Sequence, residues 1–201
     1  SITEVQIFSK QVAPAKQAQT RIQVAGQDLP NFNPDLTDYY LEAKDGKADA
    51  VTASVSNNGL ATVVPSVREG DPVRVIVKAE NGDILGEYRI HFTKDKDLLA
   101  RKPIVAAKQA RLLQLGQNLE LPSKVPVYFT GEKDYEVKDL AVEWEPVPAE
   151  NLSKAGQFTV HGRLVGSNLA VELRVRVTDK LGESVSDNPY YDENSNQAFA
   201  S

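Results

Sequence analysis

The sequence predicts an all-β chain folded as two small sandwiches in tandem. Three observations predict it. Apolar residues recur at every second position in one stretch after another, the period of a strand with one face buried. Turn-forming pairs separate these stretches at short intervals. No long stretch carries the 3.6-residue period of a helix. The pattern is cleanest at 169–178, where Leu169, Val171, Leu173, Val175 and Val177 share one parity and Glu172, Arg174, Arg176 and Thr178 the other.

From the start of the chain, residues 1–8 alternate enough for a short strand with Val5 and Ile7 on one side. Residues 11–19, rich in Ala, Gln and Lys with one Pro, read as a loop. Residues 20–25 give a strand with Ile22 and Val24 inward, then 26–28 turn. The stretch NFNPDLTD at 31–38 is turn-rich, and 39–43 is a further strand ending at the Asp45-Gly46 turn signal. Residues 50–55 and 61–64 flank Asn57-Asn58-Gly59 and read as a hairpin. So do 73–79 and 84–92 around Asn81-Gly82, because both turn residues tolerate positive φ. Val73, Val75 and Val77 face one way, as do Tyr88, Ile90 and Phe92.

Residues 94–102 (KDKDLLARK) are charged and lack β-branched side chains, so they read as a linker with a weak helical possibility at 96–101 and no means of forming a large apolar interface. The two units are then expected separate and end to end. Beyond the linker, 104–107, 112–121 and 125–129 are candidate strands. Val142 and Trp144 share a parity, Glu143 and Glu145 take the other, and 156–164 puts Phe158, Val160 and Leu164 inward. The expected core of this unit is Trp144, Val142, Phe158, Val160, Leu173 and Val175. Residues 180–201 carry no alternation and read as a flexible tail or the start of a further module. Units of roughly 90 and 75 residues fit two sandwiches; the alternative is one continuous sandwich of about 200 residues.

Composition narrows the function. Of 201 residues, 41% are hydrophobic and 25% charged, enough for a core and a wetted surface. A net charge of −5 without a basic block argues against a nucleic-acid partner or an anionic membrane surface. No apolar run approaches the roughly 18 residues of a membrane span. With no cysteine, disulfides and thiolate metal sites are excluded. Methionine is also absent, position 1 included, which reads as an internal or processed piece of a longer chain.

No residue pattern points to chemistry. His91 and His161 sit on outward strand parities without a second histidine at metal-ligand spacing. There is no Gly-x-Ser-x-Gly elbow and no phosphate-binding glycine loop. Glu143 and Glu145 beside Trp144 resemble a sugar site only superficially, since they share a solvated strand face. The acids Asp187, Asp192 and Glu193 match no calcium loop. Tyr128, Tyr135, Tyr190 and Tyr191 offer flat apolar rings for sugars, with packing or interface roles as the plainer reading. Catalytic, metal-binding and cofactor-binding residues are therefore assigned as none, and no cofactor is expected.

A resemblance adds to this. Leu121-Pro122, VPVYFTG at 125–131, Val142-Glu143-Trp144, GQFTVHG at 156–162, Gly166 and the last alternating strand follow in the order and spacing of the group-4 bacterial immunoglobulin-like domain, which residues 103–179 resemble. LPNFNPDLTDYYLEA and VKAENGDILGEYRIHF mark residues 20–92 as similar to another surface-protein sandwich, Ig-like or cadherin-like, a pattern from which residues 1–19 of the 1–93 unit depart. In this order, and followed by DNPYYDENSNQAFAS, the units resemble the non-catalytic region of large streptococcal cell-wall glycosidases, β-galactosidases among them. The resemblance implies two tandem Ig-like β-sandwich domains, 1–93 and 103–179, that act as a spacer in a secreted, cell-wall-anchored glycoside hydrolase. The implied partners are catalytic and carbohydrate-binding modules of the same chain, with the protein itself monomeric. The alternative is an adhesion module that binds a host glycan or protein directly.

Overall fold

The computed structural model describes residues 11–12, 19–45, 47–179, 191–192 and 197–198. The strand expected at 1–8 lies outside them, as do Asp187, Tyr190 and Glu193. The chain is all-β with an Ig-like sandwich architecture, and its strands are numbered here in chain order. After β1 (Gln11–Val12), the first unit contains β2 (Thr20–Val24), β3 (Gln27–Asp28), β4 (Asp38–Glu42), β5 (Val51–Val55), β6 (Leu60–Val64), β7 (Val73–Lys78) and β8 (Ile84–Thr93). They form two sheets, in the orders β3-β2-β5 and β4-β8-β7-β6. The parity argument explains the packing. Ile22 on β2 meets Val75 and Val77 on β7 and Tyr88 and Ile90 on β8 in one buried apolar cluster.

The second unit follows a short helix, α1 (Lys96–Ala100), whose N-terminus is capped by the Asp95 carboxylate accepting from the Asp97 and Leu98 amides. It contains β9 (Lys102–Ala106), β10 (Gln109–Gln114), β11 (Leu119–Glu120), β12 (Lys124–Thr130), β13 (Tyr135–Trp144), a one-turn helix α2 (Ala149–Leu152), β14 (Gly156–Leu164) and β15 (Ala170–Thr178). The order β10-β15-β14-β13-β12-β9 is continuous because β13 changes partner along its length. Residues 135–141 pair with β12, and 142–144 pair with β14. Each unit also lays a parallel edge strand on its last strand, β4 on β8 and β10 on β15. A further antiparallel pair joins β16 (Tyr191–Asp192) and β17 (Gln197–Ala198), within the stretch expected as a flexible tail or the start of a further module.

Several expectations need correction. Asn57-Asn58-Gly59 does not close a hairpin: β5 pairs with β2 and β6 with β7, so the segment carries the chain from one sheet to the other. Asn57 and Asn58 both take φ of 58°. A Cβ on Gly59 would lie 2.6 Å from the Lys78 carbonyl oxygen, which leaves room only for glycine. The Asn81-Gly82 hairpin exists, but only Gly82 of the pair has positive φ. Gly82 N–H donates to Ala79 O and Ala79 N–H to Asp83 O, a three-residue loop closed by a glycine bulge. The expected two-residue turn occurs instead at Ala25-Gly26, where both φ values are positive between the paired Val24 and Gln27. The strand expected at 112–121 is interrupted at Gly116, whose φ is 98°. Gln11–Val12, expected as loop, pairs in parallel with Leu119–Glu120 of the second unit.

The largest difference lies between the units. The apolar cluster around Ile22 and Val75 does not stop at the linker. It continues through Leu29, Leu36 and Tyr39 into Val127, Phe129, Leu140, Val142 and Leu164 of the second sandwich. A charged linker gave no hint of this because the apolar surface comes from the strands and loops on either side of it.

Candidate functional site at the joint between the units

The joint is built around the loop that precedes β4. Phe32 stacks on Tyr39 with ring centroids 5.8 Å apart and meets Tyr88 edge-on at 5.1 Å. The Tyr39 hydroxyl accepts from Asn33 N–H and donates to Asn33 O, both at 2.9 Å, and the Tyr88 hydroxyl donates to Pro34 O at 2.9 Å. Burial raises the pKa of both phenols, that of Tyr88 to about 12. The loop is thus held rigidly by two tyrosines and a phenylalanine.

Its tip carries Asn33, 1% exposed. The side-chain amide reaches the second unit and fills all its hydrogen-bonding capacity. Nδ2 donates to Ala141 O at 3.0 Å and Val165 O at 3.1 Å, while Oδ1 accepts from Ala141 N–H and Asp35 N–H, each at 3.0 Å. Opposite it, Gly166 has φ of 84°, and a Cβ there would lie 1.9 Å from Phe32 O. The two backbones could not approach so closely with any other residue.

The linker forms the second fastening. Asp97 of α1 accepts the Glu132 and Lys133 amides at 2.8 and 2.9 Å, capping the β12–β13 turn from outside. The Lys133 amide, outweighing partial burial, lowers the Asp97 pKa together with Arg101 and the Glu132 amide. Arg101, its side chain 13% exposed, binds the carboxylates of Asp97, Asp134 and Glu136. Gly131 lets the turn pass beneath α1, for a Cβ there would sit 2.8 Å from Asp97 O.

A cleft of about 480 Å³ lies beside this latch, walled by Tyr40, Leu98, Leu99, Arg101, Glu136 and Lys138. At its edge, Arg89 holds Asp38 through two hydrogen bonds of 2.9 and 2.8 Å, and His91 Nε2 lies 2.8 Å from Asp38 Oδ1. Burial opposes ionisation of Asp38, yet hydrogen bonds from Arg89, His91 and Thr37 outweigh it and hold the carboxyl well below the usual range. His91, expected exposed, is half-buried and stacked on Tyr40 at 4.8 Å. Its parity is outward, but β4 lies beside β8 and places Tyr40 and Asp38 on the same face, where they cover it.

Of the expected core residues, Val142, Val160, Leu173 and Val175 are buried, while Trp144 and Phe158 are partly buried. They divide between two clusters, with Val142 in the one that crosses the joint and Val160, Leu173 and Val175 in the other. Trp144 packs against both. Glu143 is exposed and paired with Arg163, Glu145 is exposed, and His161 is exposed on the same sheet face. Among the described residues, no group of three or more His, Asp or Glu is placed to hold a metal ion, and no helix is long and apolar enough to cross a membrane. Sequence reasoning missed Asn33, Arg101 and Asp97. Asn33-Pro34 was visible only as a turn signal, and the charges of 94–102 only as those of a linker.

The model of a family described as bacterial Ig-like domain (group 4) matches residues 107–167. The match spans β10 to β14 and includes Ala141, Val165 and Gly166 on the receiving side of the joint. The second unit is thus Ig-like in sequence as well as in sheet architecture. No curated protein matches the chain.

Proposed function

We propose that the chain is a non-catalytic spacer of two tandem Ig-like units, 1–93 and 103–179 joined by 94–102, with 180–201 leading onward. Its parent is a secreted, cell-wall-anchored glycoside hydrolase, a β-galactosidase, and the spacer holds catalytic and carbohydrate-binding modules at a set distance and angle. The observation that carries the scaffold reading is the joint, where the apolar cluster runs from one unit into the next and the linker is pinned by Arg101. A spacer transmits orientation only if its joints resist bending. Ig-like domains are generally non-catalytic modules, which agrees with the match at 107–167. The glycosidase parent rests on the order of sequence motifs alone.

Two experiments test this. Nuclear magnetic relaxation of the 201-residue chain should give one rotational correlation time for both units; two distinct times would overturn the scaffold reading. The sequence flanking this stretch in its parent should encode a hydrolase domain and an LPxTG-type anchor; a parent with neither would remove the glycosidase assignment.

One observation favours adhesion as a second reading. Tyr128 and Tyr135, 38% and 65% exposed, lie with ring centroids 6.1 Å apart on the outer face of β12 and β13, next to exposed Val105 and Val137. Titration with galactosides and host glycans, followed by Tyr128 and Tyr135 ring resonances, distinguishes the two. Saturable shifts there support adhesion, and their absence leaves the scaffold reading alone.

A further inference from the structure

Ala141 stands where β13 leaves β12 and takes up β14, and the β13–β14 register, Val142 opposite Leu164, places it opposite Val165. An antiparallel ladder joins alternate facing pairs by two reciprocal hydrogen bonds, and the Glu145 N–H to His161 O bond four residues on puts Ala141 and Val165 among them. Only one is direct, Val165 N–H to Ala141 O at 3.1 Å. In place of the other, Asn33 is inserted: Ala141 N–H donates to its Oδ1, and its Nδ2 donates to Val165 O. A side-chain amide has the donor and acceptor of a peptide group, so it can bridge the opened ladder without leaving a buried group unpaired.

We infer that Asn33 is a strand surrogate: the first unit supplies the amide that completes the β13–β14 ladder of the second and thereby sets the angle between them. Asn33 is therefore a positioning residue of the scaffold, and the second sandwich is not a free-standing module. No apolar side chain can replace it, since Ala141 N–H and Val165 O would both lose their partner at a part-buried joint. Aspartate cannot either, because its carboxylate would face two carbonyl oxygens. The inference deepens the scaffold reading but is tested at separate atoms.

The test is residue-resolved hydrogen exchange on the full 201-residue chain. In the wild type, the Ala141 amide and both Asn33 Nδ2 protons should exchange far more slowly than exposed amides. Exchange of either at the rate of an exposed amide overturns the inference, whatever the tumbling of the units. In Asn33→Ala, Ala141 should lose protection by about tenfold or more relative to Leu140, and residual dipolar couplings should report a changed inter-unit angle. Unaltered Ala141 protection in that variant also overturns it. If Asn33→Ala does not fold, the wild-type exchange rates decide alone. A single correlation time combined with an unprotected Ala141 would keep the scaffold and discard the surrogate.

Discussion

Trp144 donates its indole N–H to the carbonyl oxygen of Pro122 at 2.8 Å, tying the end of β13 to the loop before β12. The ring has no slack on its other side, for a Cβ on Gly162 would lie 2.7 Å from it. Since the side chain is partly buried and touches both apolar clusters, Trp144→Ala should cost about 3 kcal/mol, the low end for a large aromatic. Trp144→Phe should cost about 1–2 kcal/mol through the lost hydrogen bond and ring volume. Because one of those clusters crosses the joint, the loss should appear in a single calorimetric transition. An intact first-unit transition beside a destabilised second one would contradict this coupling. As the only tryptophan, Trp144 should also emit at shorter wavelength than the free indole and ignore added galactosides.

Gly166 tests the seating of the joint. Gly166→Ala must accommodate a left-handed φ and push the Phe32 carbonyl away, and should cost roughly 2–5 kcal/mol. Gly116→Ala is the control: its φ is 98°, but nothing lies within 4 Å of the added Cβ, so strain alone remains, about 1–2 kcal/mol. Denaturant titration of the two variants should rank them in that order. Equal losses would mean that the Phe32 backbone is not tightly held.

Parity made most of the fold legible. Val73, Val75 and Val77, or Val171 to Val177, sit in the core because period-two alternation leaves a strand only one way to face. What parity cannot carry is the partner of each strand. Asn57-Asn58-Gly59 has hairpin chemistry, yet positive φ at both asparagines serves a sheet change equally well. The joint was illegible for a related reason. Asn33 and Ala141 are 108 positions apart, and nothing in a turn-rich NFNPD stretch says that its amide will meet a peptide group so distant. Arg101 looked like a linker charge because a cluster with Asp97, Asp134 and Glu136 arises only once the β12–β13 turn folds back against α1.

Tyr88 gives the joint an alkaline limit. Its hydroxyl is bound to Pro34 O, and burial raises its pKa to about 12, against about 10 in an unfolded chain. With the folded pKa raised, the neutral form is favoured by folding. Its stability is fully present below pH ~10 and lost as pH rises toward about 12. Tyr39 is shifted in the same direction by its burial. Chemical denaturation at stepped pH should therefore show falling stability across that window, and Tyr88→Phe should flatten the fall while losing the Pro34 bond at neutral pH. An identical pH profile in Tyr88→Phe would show that the phenol is not the group responsible.

The Arg101 latch makes the last prediction, in acid. Asp97 titrates below the ordinary carboxylate range, held there by the Lys133 amide, by Arg101 and by the Glu132 amide. A depressed folded pKa contributes stability that is present above the unfolded value, about 4, and is lost as pH falls through the folded one. Arg101→Ala leaves Asp97, Asp134 and Glu136 facing one another without their shared cation. The Asp97 carboxyl should then titrate higher, though not fully at its ordinary value, because the two turn amides still donate to it. The β12–β13 turn should loosen at a higher pH than in the wild type, seen as faster exchange of the Glu132 and Lys133 amides. Added salt should recover part of the loss by screening the carboxylates, and Arg101→Lys should recover less than the original, since an ammonium cannot span three carboxylates with the guanidinium's fork. If the Asp97 midpoint stays where it was in Arg101→Ala, the arginine is not what holds the linker to the second unit, and the turn amides alone carry that fastening.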